Sequence, residues 1–177
     1  MTCIVGLEHE GAVYIGTDSA GCRGREVRVV RLAKVFKRRD FLIGYTTSFR
    51  MGQLLQHRLT VQPQNGESDD EYLVCQFIEG VRTCLKEGGF AKIENNVEEG
   101  GFFLVGFNGC LYSVDNDYQI NSVQDGFDAC GCGRAYALGA LAVTNDLPPK
   151  KRSKKALSVA ARFSGGVMPP FKVLKID

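Results

Sequence analysis

The chain has no hydrophobic run near the ~20 residues needed to span a bilayer, and Glu8, His9 and Glu10 interrupt its start too early for a secretory signal. A cytoplasmic protein with no membrane partner is expected. Histidine is scarce, at two residues, and His9 and His57 lie far apart. Cys130 and Cys132 form the only close cysteine pair, with no second pair at ligand spacing, so no zinc site or other metal centre is expected. Seven cysteines, an odd number scattered through apolar segments, do not describe a disulfide framework and point to a reducing compartment. Charge of neither sign dominates: the net charge of +2 names no partner. No Pro/Gly-rich linker or short repeat divides the 177 residues, and one domain over 1–177 is expected.

Charge is nonetheless clumped. Basic residues crowd 23–39, and a second run occupies 150–155. The second run follows Pro148-Pro149 at the start of a helical pattern, so it reads as a solvated helix entrance in preference to a nucleic-acid patch.

Strand and helix signals are grouped. Residues 2–8 and 12–18 read as a hairpin with Gly11 at the turn. Residues 26–37 alternate basic and apolar, as one long strand with a wet face, and 41–46 read as a short buried strand. Ser48 is placed to cap a helix reaching about residue 59, and Asp69-Asp70 to open a second, with Leu73, Phe77, Val81 and Leu85 on one face. Two strand segments flank Asn108-Gly109, a strong hairpin signal, with short strands expected over 118–123 and 127–130. Helical patterns over 134–143 and 153–163 and a strand over 171–176 complete the chain. Two strand groups, each followed by a helix pair, predict an α+β fold with two face-to-face sheets and helices outside, a four-layer αββα sandwich.

Thr2 directly follows Met1. Cytosolic processing removes an initiator Met before a small side chain, which would leave Thr2 with a free α-amine beside its hydroxyl. Such an amine has a pKa of roughly 7.7–8.0, so one residue can supply nucleophile and base. Met-Thr starts are common, and Thr2 alone carries little weight. Asp18 and Lys34 lie on the next two strand-like segments, and the joint spacing of the three is what gives Thr2 context. Taken singly, Asp18 could cap a turn and Lys34 could face solvent. Cys3 could be a nucleophile only if Thr2 were also lost. Gly131-x-Gly133 fails as a dinucleotide fingerprint because Tyr136 stands where the third glycine belongs.

These positions resemble the proteasome β-subunit and HslV peptidase family of N-terminal nucleophile hydrolases. Thr2-Cys3-Ile4-Val5-Gly6, Gly16-Thr17-Asp18-Ser19, Gly24, Lys34-Val35, the strand from Phe41, Gly131-Cys132-Gly133, Tyr136-Ala137-Leu138-Gly139-Ala140 and Ser164-Gly165-Gly166 carry the resemblance. It spans nearly the whole chain, with 63–101 nondescript. The resemblance implies a threonine endopeptidase in which Thr2 attacks, Lys34 favours loss of its proton, Asp18 holds Lys34, and the backbone N–H of Ser48 stabilises the oxyanion. It implies supporting roles for Cys132 and Ser164 and a substrate pocket near Gly21, Thr46 and Arg50. It also implies a homo-oligomeric ring, stacked in pairs, a protein or peptide substrate, and an ATP-dependent unfoldase partner, with no cofactor. Cys132 stands where the family usually has Ser, and Ala161 where proteasome subunits usually have Asp. An inactive proteasome-like ring or structural protein, and an N-terminal nucleophile amidase acting on small amides, are the alternatives the residues leave open.

Overall fold

Glu10 and Gly11 both take positive φ, 50° and 72°, and so do Asn108 and Gly109, 46° and 78°. These are the two-residue turns whose twist matches that of the flanking strands. In the computed structural model, which describes residues 1–94 and 97–177, they join β1 (Cys3–His9) to β2 (Ala12–Thr17) and β9 (Phe103–Phe107) to β10 (Cys110–Val114). Each hairpin seeds one sheet. The first has the antiparallel order β12-β1-β2-β13, with β12 (Phe127–Gly131) and β13 (Lys172–Ile176). The second has the order β11-β10-β9-β6-β5, with β5 (Val35–Arg38), β6 (Phe41–Tyr45) and β11 (Ile120–Ser122).

Alternation along the strands sorts side chains into three apolar layers. Ile4, Val13, Ile15, Leu42, Leu104 and Leu111 meet between the sheets. Cys3, Val5 and Leu7 point the other way, onto α4 (Arg134–Ala142) and α5 (Pro149–Phe163). Ile43, Tyr45, Phe103 and Val105 face α1 (Phe49–His57), α2 (Asp69–Tyr72) and α3 (Ile78–Glu87). The predicted four-layer αββα sandwich therefore forms, but its sheets mix the two strand groups: β12 and β13 from the second half complete the early hairpin, and β6 and β5 from the first half extend the late one.

Three local departures have physical causes. The expected strand over 26–37 is broken into β4 (Glu26–Val29) and β5, since Lys34 between them must turn inward. β4 pairs instead with β3 (Ala20–Arg23) in a separate two-stranded ribbon that the sequence did not announce. In the second helix, Leu73–Phe77 form a wider π-helical turn between α2 and α3. Apolar residues recurring every four positions drift around a 3.6-residue helix, and the wider turn re-phases them onto the core. The basic run at 150–155 lies in the first turns of α5, where Ser153 is buried and Arg152 sits 5.1 Å over the Phe127 ring, so part of the run is packing. A further ribbon, β7 (Lys92–Glu94) with β8 (Val97–Glu99), leads to β9. Among the described residues no helix is long and apolar enough to cross a membrane.

Candidate active site

The site is assembled at one end of the first sheet. β1 begins at Cys3 and carries Thr2 at its mouth; β2 ends at Thr17 and presents Asp18; the break between β4 and β5 presents Lys34. The chain thus brings together three residues separated by 16 positions each, Thr2 to Asp18 and Asp18 to Lys34. Their exposures are 3%, 1% and 3%.

Asp18 is the hub. Its Oδ1 accepts from Lys34 Nζ at 2.8 Å and from Cys3 N–H at 3.0 Å, and from the Thr2 hydroxyl. Its Oδ2 accepts from Ala20 N–H at 2.7 Å and Met168 N–H at 3.3 Å. Five donors satisfy a carboxylate that has left water, which is what a buried charge requires. Lys34 Nζ also donates to Thr2 Oγ1. The Thr2 oxygen therefore receives from an ammonium while its hydrogen faces a carboxylate. Lys34 is further fixed by its own carbonyl, which accepts from Tyr45 N–H at 2.9 Å.

Cys132 and Ser164, predicted as supports, form a relay. Ser164 Oγ donates to Cys132 Sγ at 3.3 Å, and Cys132 Sγ donates to the Thr2 carbonyl at 3.3 Å. They hold the Thr2 backbone. Met1 is exposed and packs against Gly166.

A cavity of about 70 Å³ opens beside Thr2 and Lys34, walled by Cys22, Tyr45, Thr46 and Phe49. Of the three residues expected in a substrate pocket, only Thr46 lines it. Gly21 is turned against Val30, and the Arg50 guanidinium is drawn to the Gly88 carbonyl at 3.2 Å. Cys22 and Phe49, not singled out in the sequence, line the cavity instead. Residues alternate across a strand, so the neighbour of Gly21 faces the cavity, and Phe49 opens α1 one residue before Arg50. Ser48 caps α1, its hydroxyl accepting from Arg50 N–H at 3.0 Å. Its own N–H, the expected oxyanion donor, is engaged by the Thr46 carbonyl at 2.6 Å. Among the described residues no group of three or more His, Cys, Asp or Glu side chains is placed to hold a metal ion.

Burial, reinforced by the Asp18 carboxylate, pushes the Cys3 thiol up to about 12, so Cys3 stays protonated near neutrality and is no competing nucleophile. Burial likewise pushes Tyr45 and Tyr112 up to about 12. In the unfolded chain these groups ionise first, from about 9.0 for the thiol and 10.0 for the phenols. Their contribution to stability is whole below that range and is lost as pH rises toward about 12. Urea midpoints are expected to fall steadily from about pH 9 upward, and Cys3→Ala should flatten the first part of that fall. An unchanged alkaline limb in Cys3→Ala would exclude the assignment.

No protein-family model matches the chain, and no curated protein matches it. Solved structures do. The architecture is that of the HslV and proteasome-like fold. BPH of Thiobacillus denitrificans superposes with a TM-score of 0.84 at 18% identity, over 99% of this chain and 97% of that one. The same protein in complex with epoxomicin gives 0.81 at 18% identity, over 99% and 98%. HslV from Trypanosoma brucei gives 0.70 at 17% identity, over 99% of each chain.

Proposed function

We propose that the protein is a threonine peptidase that acts once Met1 is removed, with Thr2 as nucleophile. The observation that carries this reading is the convergence of the Thr2 hydroxyl, the Lys34 ammonium and the Asp18 carboxylate in one buried cluster. Loss of Met1 frees the Thr2 amine as proton acceptor. The Thr2 oxygen then attacks a peptide carbonyl, its proton passes to the amine, and the leaving amine takes that proton as the ester forms. Water hydrolyses the ester with the same amine as base. Lys34 lowers the cost of negative charge on the attacking oxygen, and Asp18 keeps Lys34 charged away from bulk water. No metal or organic group is called for in this sequence of steps.

The proteasome-like fold supports a homo-oligomeric ring, stacked in pairs, with Thr2 facing an inner chamber. A chamber of this kind suits unfolded protein substrates, and an ATP-dependent unfoldase would supply them. The whole chain of 177 residues is assigned to one such unit in the cytoplasm.

Intact mass tests the reading. The purified protein is expected to have lost Met1 and to gain the mass of one epoxomicin, the compound found in complex with BPH, per chain. Thr2→Ala is expected to gain none while staying folded, at a cost of about 1–3 kcal/mol for the buried hydrogen bonds its hydroxyl makes. Retention of Met1 with no adduct at any concentration would sink the peptidase reading in favour of an inactive ring.

A further inference from the structure

The reaction proposed above needs a backbone donor where negative charge develops on the substrate oxygen. Ser48 N–H is the donor at the rim of the cavity, and it is already occupied. It donates to the Thr46 carbonyl at 2.6 Å, two residues back, which closes a γ-turn around Thr47. Thr47 is held at φ 58°, in the left-handed region. For a β-branched side chain that is a strained conformation, kept only where neighbours enforce it.

The neighbours are identifiable. Thr47 Oγ1 accepts from Phe102 N–H at 3.2 Å, and Thr46 N–H donates to the Phe102 carbonyl at 3.0 Å. Gly101 presses on the same side chain: a Cβ there would stand 2.9 Å from Thr47 Oγ1 and 3.1 Å from Thr47 Cβ. The segment entering β9 therefore clamps the turn from one side. On the other side, α1 fixes the rest of Ser48, whose hydroxyl caps the helix and whose carbonyl accepts from Gly52 N–H at 3.2 Å. The Thr47–Ser48 peptide is the part left to move. Thr47 itself is exposed, so the side away from Gly101 and Phe102 is open to solvent for that movement.

We infer that Thr47 is a positioning residue that sets whether the Ser48 N–H is available, and that this structure shows the unavailable arrangement. The inference rests on the threonine-peptidase reading. When Thr47 leaves the left-handed region, the peptide turns, the N–H leaves the Thr46 carbonyl, and it swings to the cavity shared by Thr2, Thr46 and Ser48. A substrate carbonyl offers the replacement acceptor. Strain at Thr47 favours turning, and the hydroxyl anchor to Phe102 opposes it. The balance between the two sets the fraction of competent sites, and the maximal rate scales with that fraction.

Two variants shift the balance in opposite directions. Thr47→Val keeps the branched carbon and its strain but removes the anchor to Phe102. Thr47→Asn suits the left-handed region and relieves the strain, so the turn stays closed. The full-length processed protein is reacted with epoxomicin, and the maximal rate of Thr2 modification is separated from the half-saturating concentration. Thr47→Val is expected to raise the maximal rate about fivefold to tenfold and Thr47→Asn to lower it by a similar factor, with little change in half-saturation. A residue that only supported the loop would lower both. If both variants move the rate the same way, or neither moves it, the gate is disproved while the peptidase reading stands. If the parent protein with Met1 removed forms no adduct, the peptidase reading falls and takes the gate with it.

Discussion

Asp18→Ala is expected to cost about 3–5 kcal/mol of folding free energy, the range seen when one partner of a buried ion pair is removed, and to abolish Thr2 reactivity. The size follows from what Asp18 leaves behind. Lys34 is 3% exposed, and Asp18 is its sole carboxylate partner among the described residues. Without it an ammonium remains in a site that cannot hydrate it. The N–H groups of Cys3 and Ala20 lose an acceptor in the same step. Each orphaned donor adds a desolvation cost of about 1–3 kcal/mol if no water reaches it. Reactivity is lost for a separate reason: without Asp18 nothing fixes the Lys34 ammonium against the Thr2 oxygen.

The double variant Asp18→Ala/Lys34→Met separates the two effects. Removing the stranded ammonium should restore much of the lost stability, since an apolar pair of similar volume often substitutes for a buried ion pair at little cost. It should restore no reactivity. Urea unfolding gives the stabilities, and the rate of epoxomicin addition gives the reactivity. A single variant Asp18→Ala that unfolds within about 1 kcal/mol of the parent would show that water already reaches Lys34.

What the sequence disclosed follows a physical divide. The paired turns Glu10-Gly11 and Asn108-Gly109 were legible because positive φ at two successive residues restricts the residue choice. Thr2, Asp18 and Lys34 were legible as a set because they lie on three consecutive strand-like segments at positions that carry the family resemblance. The layers followed from alternation, as Ile4 and Val5 show by pointing to opposite sides of one sheet. What stayed hidden depends on contacts distant in sequence. Nothing between Glu26 and Lys37 says that a strand must break so that Lys34 can enter the core. The capture of Ser48 N–H by Thr46 depends on Phe102 and Gly101, more than fifty residues away. Arg50 was expected at the substrate pocket, yet the Gly88 carbonyl beyond α3 draws it off. Sequence spacing carries register and face well, and it carries little about which of two neighbours a flexible side chain will choose.

Gly131→Ala provides the second large effect, and it acts on the nucleophile without touching any charged group. Gly131 sits at φ 96°, where an L side chain is strained in any surroundings. Its Cα faces the Thr2 backbone across the β1–β12 ladder, in which Cys3 pairs with Gly131. A Cβ would overlap the Thr2 carbonyl oxygen and stand 3.0 Å from the carbonyl carbon and 3.1 Å from Thr2 Cγ2. Backbone cannot yield as a flexible side-chain end can, so Thr2 must shift. The shift also opens the Cys132 contact to that carbonyl, at 3.3 Å. Displacement of a reacting atom by about 1 Å typically costs about 10²-fold in rate, so epoxomicin addition is expected to slow by at least about that factor. Gly139→Ala is the matched control, because a Cβ there meets nothing within 4 Å beyond the backbone of its own helix, α4. It should keep the parent rate and gain up to about 1 kcal/mol, as Ala replaces Gly within a helix. Equal rates in the two variants would mean that Thr2 is not held in place by its contact with Gly131, and that the nucleophile is positioned by Asp18 and Lys34 alone.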